Sequence, residues 1–457
     1  MKLSEAKNYR RGLVSRLSGP MLGIGTMASA PTTSSGASQT LARLWSATGD
    51  YFGGAIRSEW FTYNREAKGN GATVLVGTSF YHYGQAIEIC MAQTSTAFLV
   101  KVNDRYVSLT PTATGTTGGA NTWWKYDFGT TDLRRIDIIG FNTSFRGVAA
   151  GATDTIWPAP NRGPKTIIMG DSFSQGSPMI AQTGFADALG WDDVSASGVS
   201  STGYLANGGG ALPTFRGRVQ SDVISQNPSV VGVYGGVNDG AQSPSAIQAE
   251  ALLLYQTIAT SLPGALIFAT VNTGTDISGA TSNALLVREA IRTACATAKA
   301  QGIKIEFCDI QEYPLVGTTP YALAVASTGA GSPSAGASAF GMTHAANLRP
   351  QIGSTWEVGT GSVRERFVVK TTTPATSTIT NITTTRALQY NHTAGDAATL
   401  VGGSFYTGSG NSGAPTSFGN SDIITSSDGL HPNQTFGGSY LLGYAMAERF
   451  MRAFGGL

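Results

Sequence analysis

Residues 166–176 read TIIMGDSFSQG, and the organisation of the whole chain can be worked out from this segment. Its apolar run ends abruptly in Gly-Asp-Ser, which is typical of a buried parallel strand that delivers a side chain at its carboxyl end. That side chain is Ser172. Open α/β sheets carry their chemistry at the carboxyl ends of strands, so Ser172 is well sited to act as a nucleophile.

Two further segments supply the groups that a serine nucleophile needs. Residues 230–239 form a second apolar run that ends at Asn238, where a neighbouring strand of the same sheet would end. Near the C-terminus, Asp428 precedes His431 by three residues, so one loop can present a carboxylate and an imidazole together. We expect His431 to be the general base for Ser172 and Asp428 to orient and stabilise the imidazolium.

These segments resemble the four sequence blocks of the SGNH (GDSL-type) hydrolase family. Gly170-Asp171-Ser172 matches the nucleophile block, and Gly198 matches the glycine block, with Gly203 as a competitor for that block. The asparagine block is matched by Gly236-Val237-Asn238-Asp239, and the Asp-x-x-His block by Asp428-Gly429-Leu430-His431. The four blocks stand in the family's order and fall within residues 164–312 and 426–455.

The resemblance implies a serine esterase with an oxyanion hole. The donors would be the backbone N–H groups of Ser172 and Gly198 and the side-chain amide of Asn238. A Cβ at Gly198 is expected to crowd the substrate carbonyl. An N-terminal β-sandwich that runs through a Trp-Pro linker into the Gly-Asp-Ser strand is also similar to a subset of carbohydrate esterases and phage-tail esterases.

Composition limits the function classes. Charged residues make up 13% of the 457 residues and the net charge is +2, which argues against an electrostatic nucleic-acid binder. The sequence has no apolar run of about 18 residues, so no transmembrane span is predicted. Histidines are sparse and no Cys or His pair has ligand spacing, so neither a metal nor a cofactor is expected. The three cysteines, Cys90, Cys295 and Cys308, are expected to be buried free thiols, with a Cys295–Cys308 bridge as the alternative.

The length and the changes of pattern along the chain predict several units. The predicted units are an N-terminal helix and linker (1–44), a jelly-roll-like β-sandwich (45–157), the first part of a hydrolase core (158–316), a β-rich insertion (317–425) and the last part of the core with the catalytic loop and a final helix (426–457). The N-terminal helix is expected at Leu3–Leu17, followed by a flexible linker at residues 31–39, with a cleaved secretion signal that ends at Ala28-Ser29-Ala30 as the alternative.

The sandwich is predicted from runs of period two that no helix interrupts. The predicted strands are Ala86–Cys90, Ala97–Val102, Arg105–Leu109, Trp123–Phe128 and Arg135–Phe141. Asn103-Asp104 is expected to form a tight hairpin turn. The aromatic residues Tyr81, Tyr83, Trp123 and Trp124 are either core residues or a platform for sugar rings, and Trp157–Pro160 is expected to be a linker.

Strand and helix patterns alternate from residue 166 onward, which predicts a three-layer, doubly wound α/β/α parallel sheet. The resemblance to the SGNH hydrolases implies that this core is flavodoxin-like. The predicted elements after Ser172 are helices Met179–Leu189, Pro244–Ser261, Ser282–Gln301 and Gly438–Phe454, and strands Ala265–Val271 and Ile303–Ile310. One face of the third helix is expected to bury Leu285, Leu286, Ala290 and Ile291. Within the insertion, Arg366–Lys370 and Ala387–Tyr390 are predicted strands.

Three functions remain open at this point. The first is a serine esterase acting on O-acyl groups, above all the O-acetyl groups of a carbohydrate. The second is a non-catalytic carbohydrate-binding or virion-tail protein with a hydrolase-like core, and the third is a lipase or thioesterase. The polar insertion favours a hydrophilic substrate. An extracellular or virion-associated location is expected, with the N-terminal segment as the site of attachment to a particle or to another copy of the chain.

Overall fold

The structure of the chain is a computed structural model that describes most, but not all, of the residues. The described residues are 32–34, 42–44, 50–52, 55–57, 62–64, 75–92, 96–115, 121–141, 145–271, 283–310, 322–325, 332–343, 350, 355–376, 379–402, 431–432, 434 and 438–455. The predicted N-terminal helix at Leu3–Leu17 lies outside them, as does most of the predicted linker.

The N-terminal part of the chain forms one hydrogen-bonded sheet of 12 strands. The strands are β1 (Thr32–Ser34), β2 (Ala42–Leu44), β3 (Asp50–Phe52), β4 (Ala55–Arg57), β5 (Thr62–Asn64), β6 (Leu75–Ala92), β7 (Ala97–Val102), β8 (Arg105–Tyr106), β9 (Thr112–Ala113), β10 (Asn121–Phe141), β11 (Phe145–Ala150) and β12 (Thr155–Pro158). The main path of the sheet runs β4-β5-β11-β6-β10-β7-β8. Because the described strands form a single sheet, the two-sheet β-sandwich is not confirmed.

The long antiparallel pair β6 and β10 forms the centre of this sheet. The two predicted strands Trp123–Phe128 and Arg135–Phe141 are in fact one strand, because a register shift between Asp127 and Asp132 bends β10 without ending its pairing with β6. The prediction for β6 was also too short, since the strand begins at Leu75. The predicted turn at Asn103-Asp104 is confirmed: both residues have positive φ, 49° and 66°, as a two-residue hairpin turn requires.

The linker prediction for Trp157–Pro160 is wrong in its first half. Thr155–Pro158 is strand β12, which pairs with β6 so that Trp157 lies opposite Tyr81. The proline does not prevent this because it is the last residue of the strand.

A second sheet holds five parallel strands in the order β14-β13-β15-β16-β17. They are β13 (Thr166–Gly170), β14 (Val194–Gly198), β15 (Val230–Tyr234), β16 (Leu266–Thr270) and β17 (Ile305–Phe307). The helices of this part are α1 (Ala181–Leu189), α2 (Phe215–Asp222), α3 (Pro244–Ser261), α4 (Asn283–Ala300) and α5 (Ser439–Phe454). Each lies within one or two residues of its predicted position, apart from α2, which the sequence pattern did not reveal.

The helices pack against both faces of the parallel sheet. Ile167 and Met169 of β13 share one apolar cluster with α2, α3 and α4, whereas Ile168 lies in a second cluster with α1 and α5. This alternation along one strand is what a sheet buried on both sides requires. One detail of the prediction is wrong: Leu286 of α4 is 51% exposed.

The N-terminal sheet packs directly on this core. Leu75 and Phe141 of the sheet share an apolar cluster with Met179 and Ala196. Beside it, the carboxylate of Asp187 in α1 accepts hydrogen bonds from Lys101 and from two tyrosines, Tyr106 and Tyr440. The contact therefore combines apolar packing with a buried, fully bonded carboxylate.

The described residues between β17 and α5 form a closed barrel in the order β18-β19-β22-β21-β20-β23. Its strands are β18 (Ala322–Val325), β19 (Ala339–Thr343), β20 (Thr355–Val358), β21 (Glu365–Pro374), β22 (Ile379–Thr384) and β23 (Ala397–Gly402). Ala387–Tyr390 is not a strand, which corrects the prediction. The N–H groups of Gln389 and Tyr390 instead donate to the buried carboxylate of Glu365, and these bonds hold the segment as a loop.

The three cysteines are buried and free, as predicted. Burial raises the pKa of the Cys295 thiol to about 12. None of the described helices is long and apolar enough to cross a membrane.

Candidate active site

A short 3-10 turn at Ser172–Ser174 presents Ser172 just beyond the carboxyl end of β13. The carboxylate of Asp171 is fully buried and accepts a hydrogen bond from the backbone N–H of Phe173, at 3.0 Å between nitrogen and oxygen. This bond caps the turn and fixes its direction. Ser172 remains half-buried at the start of the turn, so its hydroxyl is held in place yet accessible.

His431 lies against Ser172, although 259 residues separate them in the chain. The Nε2 atom of His431 is 2.8 Å from the Oγ atom of Ser172, which is hydrogen-bond distance. The ring of Phe173 lies 5.2 Å from the imidazole, centroid to centroid, and is tilted by 46° to it. The structure thus brings together the predicted nucleophile and the predicted base. The predicted third member, Asp428, lies outside the described residues.

Asn238 stands in the turn Val237–Asp239 that follows β15. Its side-chain nitrogen Nδ2 donates to the backbone carbonyl of Thr202 at 2.9 Å. An amide nitrogen carries two protons, so this bond fixes the orientation of the group and leaves a second proton for another acceptor. The side chain is half-buried, as a donor to a substrate would need to be.

The loop that contains Thr202 is also bound by Asp239, the residue after Asn238. Its fully buried carboxylate accepts hydrogen bonds from the backbone N–H groups of Tyr204, Leu205 and Ala206, at 2.9, 2.8 and 2.8 Å. Burial raises the pKa of this carboxyl, and the three N–H groups act against that rise. Sequence reasoning assigned no role to Asp239, although it belongs to the matched asparagine block.

The two glycines that competed for the glycine block have different surroundings. A Cβ on Gly203 would overlap the carboxylate of Asp239, so that glycine is needed for the approach of the loop to its anchor. Gly198 ends β14 and lies in register with Gly170. A Cβ there would stand 2.5 Å from the carbonyl oxygen of Ser174, so the glycine lets the nucleophile turn pack on β14. The expectation that it also makes room for a substrate carbonyl stays a prediction.

Arg218 joins the ends of β13 and β14 beneath the site. Its guanidinium donates to the carbonyl oxygens of Gly170 and Ser197 at 2.6 and 3.2 Å and to the carboxylate of Asp222 at 2.9 Å. Burial lowers the pKa of Arg218, and the Asp222 carboxylate opposes that shift. Sequence reasoning missed this residue. The spacing of four between Arg218 and Asp222 was the available signal, but it is also common on exposed helix faces.

The three predicted oxyanion donors therefore come from the ends of three neighbouring strands, β14, β13 and β15. Glutamine side chains extend this edge: Gln175 donates to the carbonyl of Gly198 at 2.9 Å, and Gln434 donates to the carbonyl of Gln175 at 2.6 Å. Within the described part of the chain, no group of three or more His, Cys, Asp and Glu side chains is placed to hold a metal ion. The chemistry that this arrangement can support is acid–base and nucleophilic catalysis by a serine and a histidine.

Comparison with known proteins gives matches at the level of structure. No protein-family model matches the chain, and no curated protein matches it in sequence. Among solved structures, the chain is similar to carbohydrate esterases and to a GDSL-like lipase.

One match is a family two carbohydrate esterase from Clostridium thermocellum in complex with cellohexaose, at 18% identity, with 51% of this chain and 81% of that chain covered and a TM-score of 0.41. A second is a GDSL-like lipase from Bacteroides ovatus, at 13% identity, 59% and 86% coverage and a TM-score of 0.40. A third is a salicylyl-acyltransferase from a tetracycline biosynthetic pathway, at 12% identity, 58% and 84% coverage and a TM-score of 0.45.

Proposed function

We propose that this protein is a serine esterase that hydrolyses O-acyl esters, above all O-acetyl groups on a carbohydrate. The observation that carries the proposal is the 2.8 Å contact between His431 Nε2 and Ser172 Oγ at the carboxyl end of a buried parallel strand. A serine hydroxyl is a weak nucleophile by itself, and a neutral imidazole at this distance can accept its proton.

The proposed reaction has two halves. In the first, His431 takes the proton of Ser172 while Oγ bonds to the acyl carbon, and the protonated imidazole then gives that proton to the departing alcohol. In the second, His431 deprotonates a water molecule that attacks the acyl-enzyme, and the proton returns to Ser172 as the carboxylic acid leaves. Asp428 would orient the imidazole, and Ser172 N–H, Gly198 N–H and Asn238 Nδ2 would stabilise the oxyanion.

The surroundings of Ser172 support a small acyl group on a hydrophilic alcohol. Two glutamine side chains lie on this edge, half-buried Gln175 and exposed Gln434, beside the apolar side chains of buried Phe173 and half-buried Val237. The loop from Ser200 to Gly210 adds exposed Ser200, Ser201 and Asn207. A long fatty acyl chain requires a continuous apolar lining, and these residues do not offer one.

We further propose that the parallel sheet and its helices form the doubly wound, three-layer core inferred from the sequence. The strand order and the two apolar clusters support this arrangement. The proposed domain limits remain those of the sequence analysis, with a β-rich unit before residue 158 and a barrel inserted between residues 317 and 425.

A panel of esters tests the function directly. We expect kcat/KM to fall from p-nitrophenyl acetate to the butyrate and the octanoate, and acetate to be released from acetylated xylan. The Ser172→Ala variant is the matched control for non-enzymatic hydrolysis. A preference for octanoate would replace this proposal with a lipase or thioesterase, and the absence of hydrolysis with every ester would replace it with a binding or virion-tail protein.

A further inference from the structure

One face of the N-terminal sheet is packed at one end and exposed at the other. Along β6 the residues at alternate positions from Leu75 point to the same face, and Leu75 itself is buried against the hydrolase core. Further along this face stand Tyr81 and Tyr83, and Tyr83 is 49% exposed. The sheet thus extends past the core and leaves aromatic side chains uncovered.

The strands on either side of β6 enlarge this exposed surface. On β10, Leu133 lies opposite Tyr83 and is 49% exposed; on β12, Trp157 lies opposite Tyr81 and is 36% exposed. Directly paired residues of neighbouring strands lie side by side on one face. We call these four residues, Tyr81, Tyr83, Leu133 and Trp157, the aromatic ledge.

Two rings of the ledge, those of half-buried Tyr81 and exposed Trp157, are held by neighbouring side chains. The ring centroids of Tyr81 and Trp157 are 5.7 Å apart, and the guanidinium carbon of Arg135 lies 5.9 Å from the centroid of Tyr81. Arg135 is buried and is held by the carboxylates of Asp137 and Asp192, at 3.0 and 2.7 Å. A ligand that stacks on such rings loses little affinity to their ordering.

The position of the ledge separates it from Ser172. Arg135 bonds to Asp192, which lies just before β14, and to the carbonyl of Pro160, which lies before β13. These contacts are at the amino ends of the parallel strands, whereas Ser172 follows the carboxyl end of β13. The ledge is therefore at the opposite edge of the sheet from the candidate active site.

The chemistry of the ledge favours a neutral sugar over a protein partner. Four side chains are far fewer than the roughly 20–30 residues per side of a stable protein interface. Flat aromatic rings match the C–H face of a pyranose ring, since they offer apolar contact with a preferred stacking geometry. The exposed polar neighbours, Thr155 opposite Tyr83 and Gln85 two positions further along β6, are uncharged and can hydrogen-bond to hydroxyl groups.

We propose that the aromatic ledge is a second binding site, which anchors a neutral polysaccharide chain by stacking. Binding at this site involves no residue of the candidate active site and does not depend on ester hydrolysis. This site holds the protein on a polysaccharide chain, while the candidate active site at the opposite edge of the parallel sheet binds individual acyl substituents.

Affinity electrophoresis of the Ser172→Ala variant tests the site without interference from hydrolysis. The probes are gels that contain soluble xylan, hydroxyethylcellulose or galactomannan. We expect retardation by at least one of them, and a loss of affinity of about tenfold or more when Tyr83→Ala and Trp157→Ala are added. Tyr83→Phe, which keeps the ring, and Leu253→Ala, which removes an exposed apolar side chain from α3, should leave the retardation unchanged.

No retardation in any of the three gels would overturn the proposal, as would equal retardation of the Tyr83→Ala, Trp157→Ala variant with an unchanged melting temperature. If the double substitution lowers the melting temperature, the two single variants are compared instead, and each of them should weaken binding. Hydrolysis of p-nitrophenyl acetate by the protein with Ser172 intact is measured separately. Retardation without hydrolysis would refute only the esterase, and hydrolysis without retardation would refute only the ledge.

Discussion

The parallel sheet and the N-terminal sheet expose their candidate functional side chains by different means. The parallel strands β13 and β15 are buried along their whole length, and Ser172 and Asn238 come from the turns just beyond them. In the N-terminal sheet, the strands themselves continue past the packed region and carry Tyr83 and Trp157 on their exposed face. The candidate active site therefore depends on hydrogen bonds that shape turns, whereas the aromatic ledge depends on the side chains alone.

The largest effect should come from His431. We expect His431→Ala to lower kcat for p-nitrophenyl acetate by about 10²–10⁴-fold, because the Ser172 hydroxyl loses its proton acceptor. His392→Gln is the control, since His392 bonds to Glu365 in the barrel and lies outside the site. Equal turnover of His431→Ala and the unmodified protein would show that His431 is not the base and that ester hydrolysis takes place elsewhere in the protein.

The next effect concerns the turn after β15. Asn238→Ala should lower kcat by about 10²–10³-fold with little change in KM, because an oxyanion bond forms mainly in the transition state. If Asn238 only supports the loop through the Thr202 carbonyl, its loss will instead lower the melting temperature while the folded enzyme keeps its turnover. Kinetics and thermal unfolding of the same preparation distinguish the two roles.

A smaller effect on rate, with a clear effect on stability, is expected at Asp239. Asp239→Asn places an amide against three N–H donors, so the free energy of unfolding should fall by about 3 kcal/mol and kcat by about tenfold. Denaturant unfolding and steady-state kinetics measure these changes, with the exposed Asp132→Asn as the control. A variant that loses stability but no activity would show that the loop at Tyr204–Ala206 does not position Asn238.

The smallest effect is expected at the aromatic ledge. Tyr83→Ala should leave kcat and KM for p-nitrophenyl acetate unchanged, since the ledge and Ser172 lie at opposite edges of the parallel sheet. A soluble small ester requires no anchoring on a polymer. A several-fold loss of kcat at constant melting temperature would mean that the two regions are coupled.

The sequence predicted those elements whose structure is determined by a local pattern of residues. The apolar runs that end at Gly170 and Tyr234 were predicted to be buried strands and are buried strands in the structure. The matched blocks pointed to Ser172 and His431, which the fold brings to 2.8 Å. Helix α3 was predicted with the bounds that it has, because Ser243 and Pro244 mark its start.

The features that the sequence did not predict depend on contacts between residues that are far apart in the chain. From the sequence, Gly84 and the segment between Asp127 and Asp132 look like places where strands end. In the structure, β6 and β10 pair with each other on both sides of these positions, and both strands are continuous. Trp157 stands in a Trp-Pro segment typical of a linker, and only its register with Tyr81 makes it part of a surface. Arg218 lies in a polar helix, and nothing local shows that its guanidinium bonds to two strand ends.

The central claim is that Ser172 is a nucleophile activated by His431. Diethyl p-nitrophenyl phosphate tests it directly, because attack by Oγ on phosphorus forms a stable phosphoserine ester and releases p-nitrophenolate, while the histidine accepts the hydroxyl proton. We predict release of one p-nitrophenolate per chain and, by peptide mass spectrometry, a diethylphosphoryl group on Ser172, with neither product from Ser172→Ala and a much slower reaction in His431→Ala. Labelling at another residue, or equal release by the Ser172→Ala variant, would contradict the account.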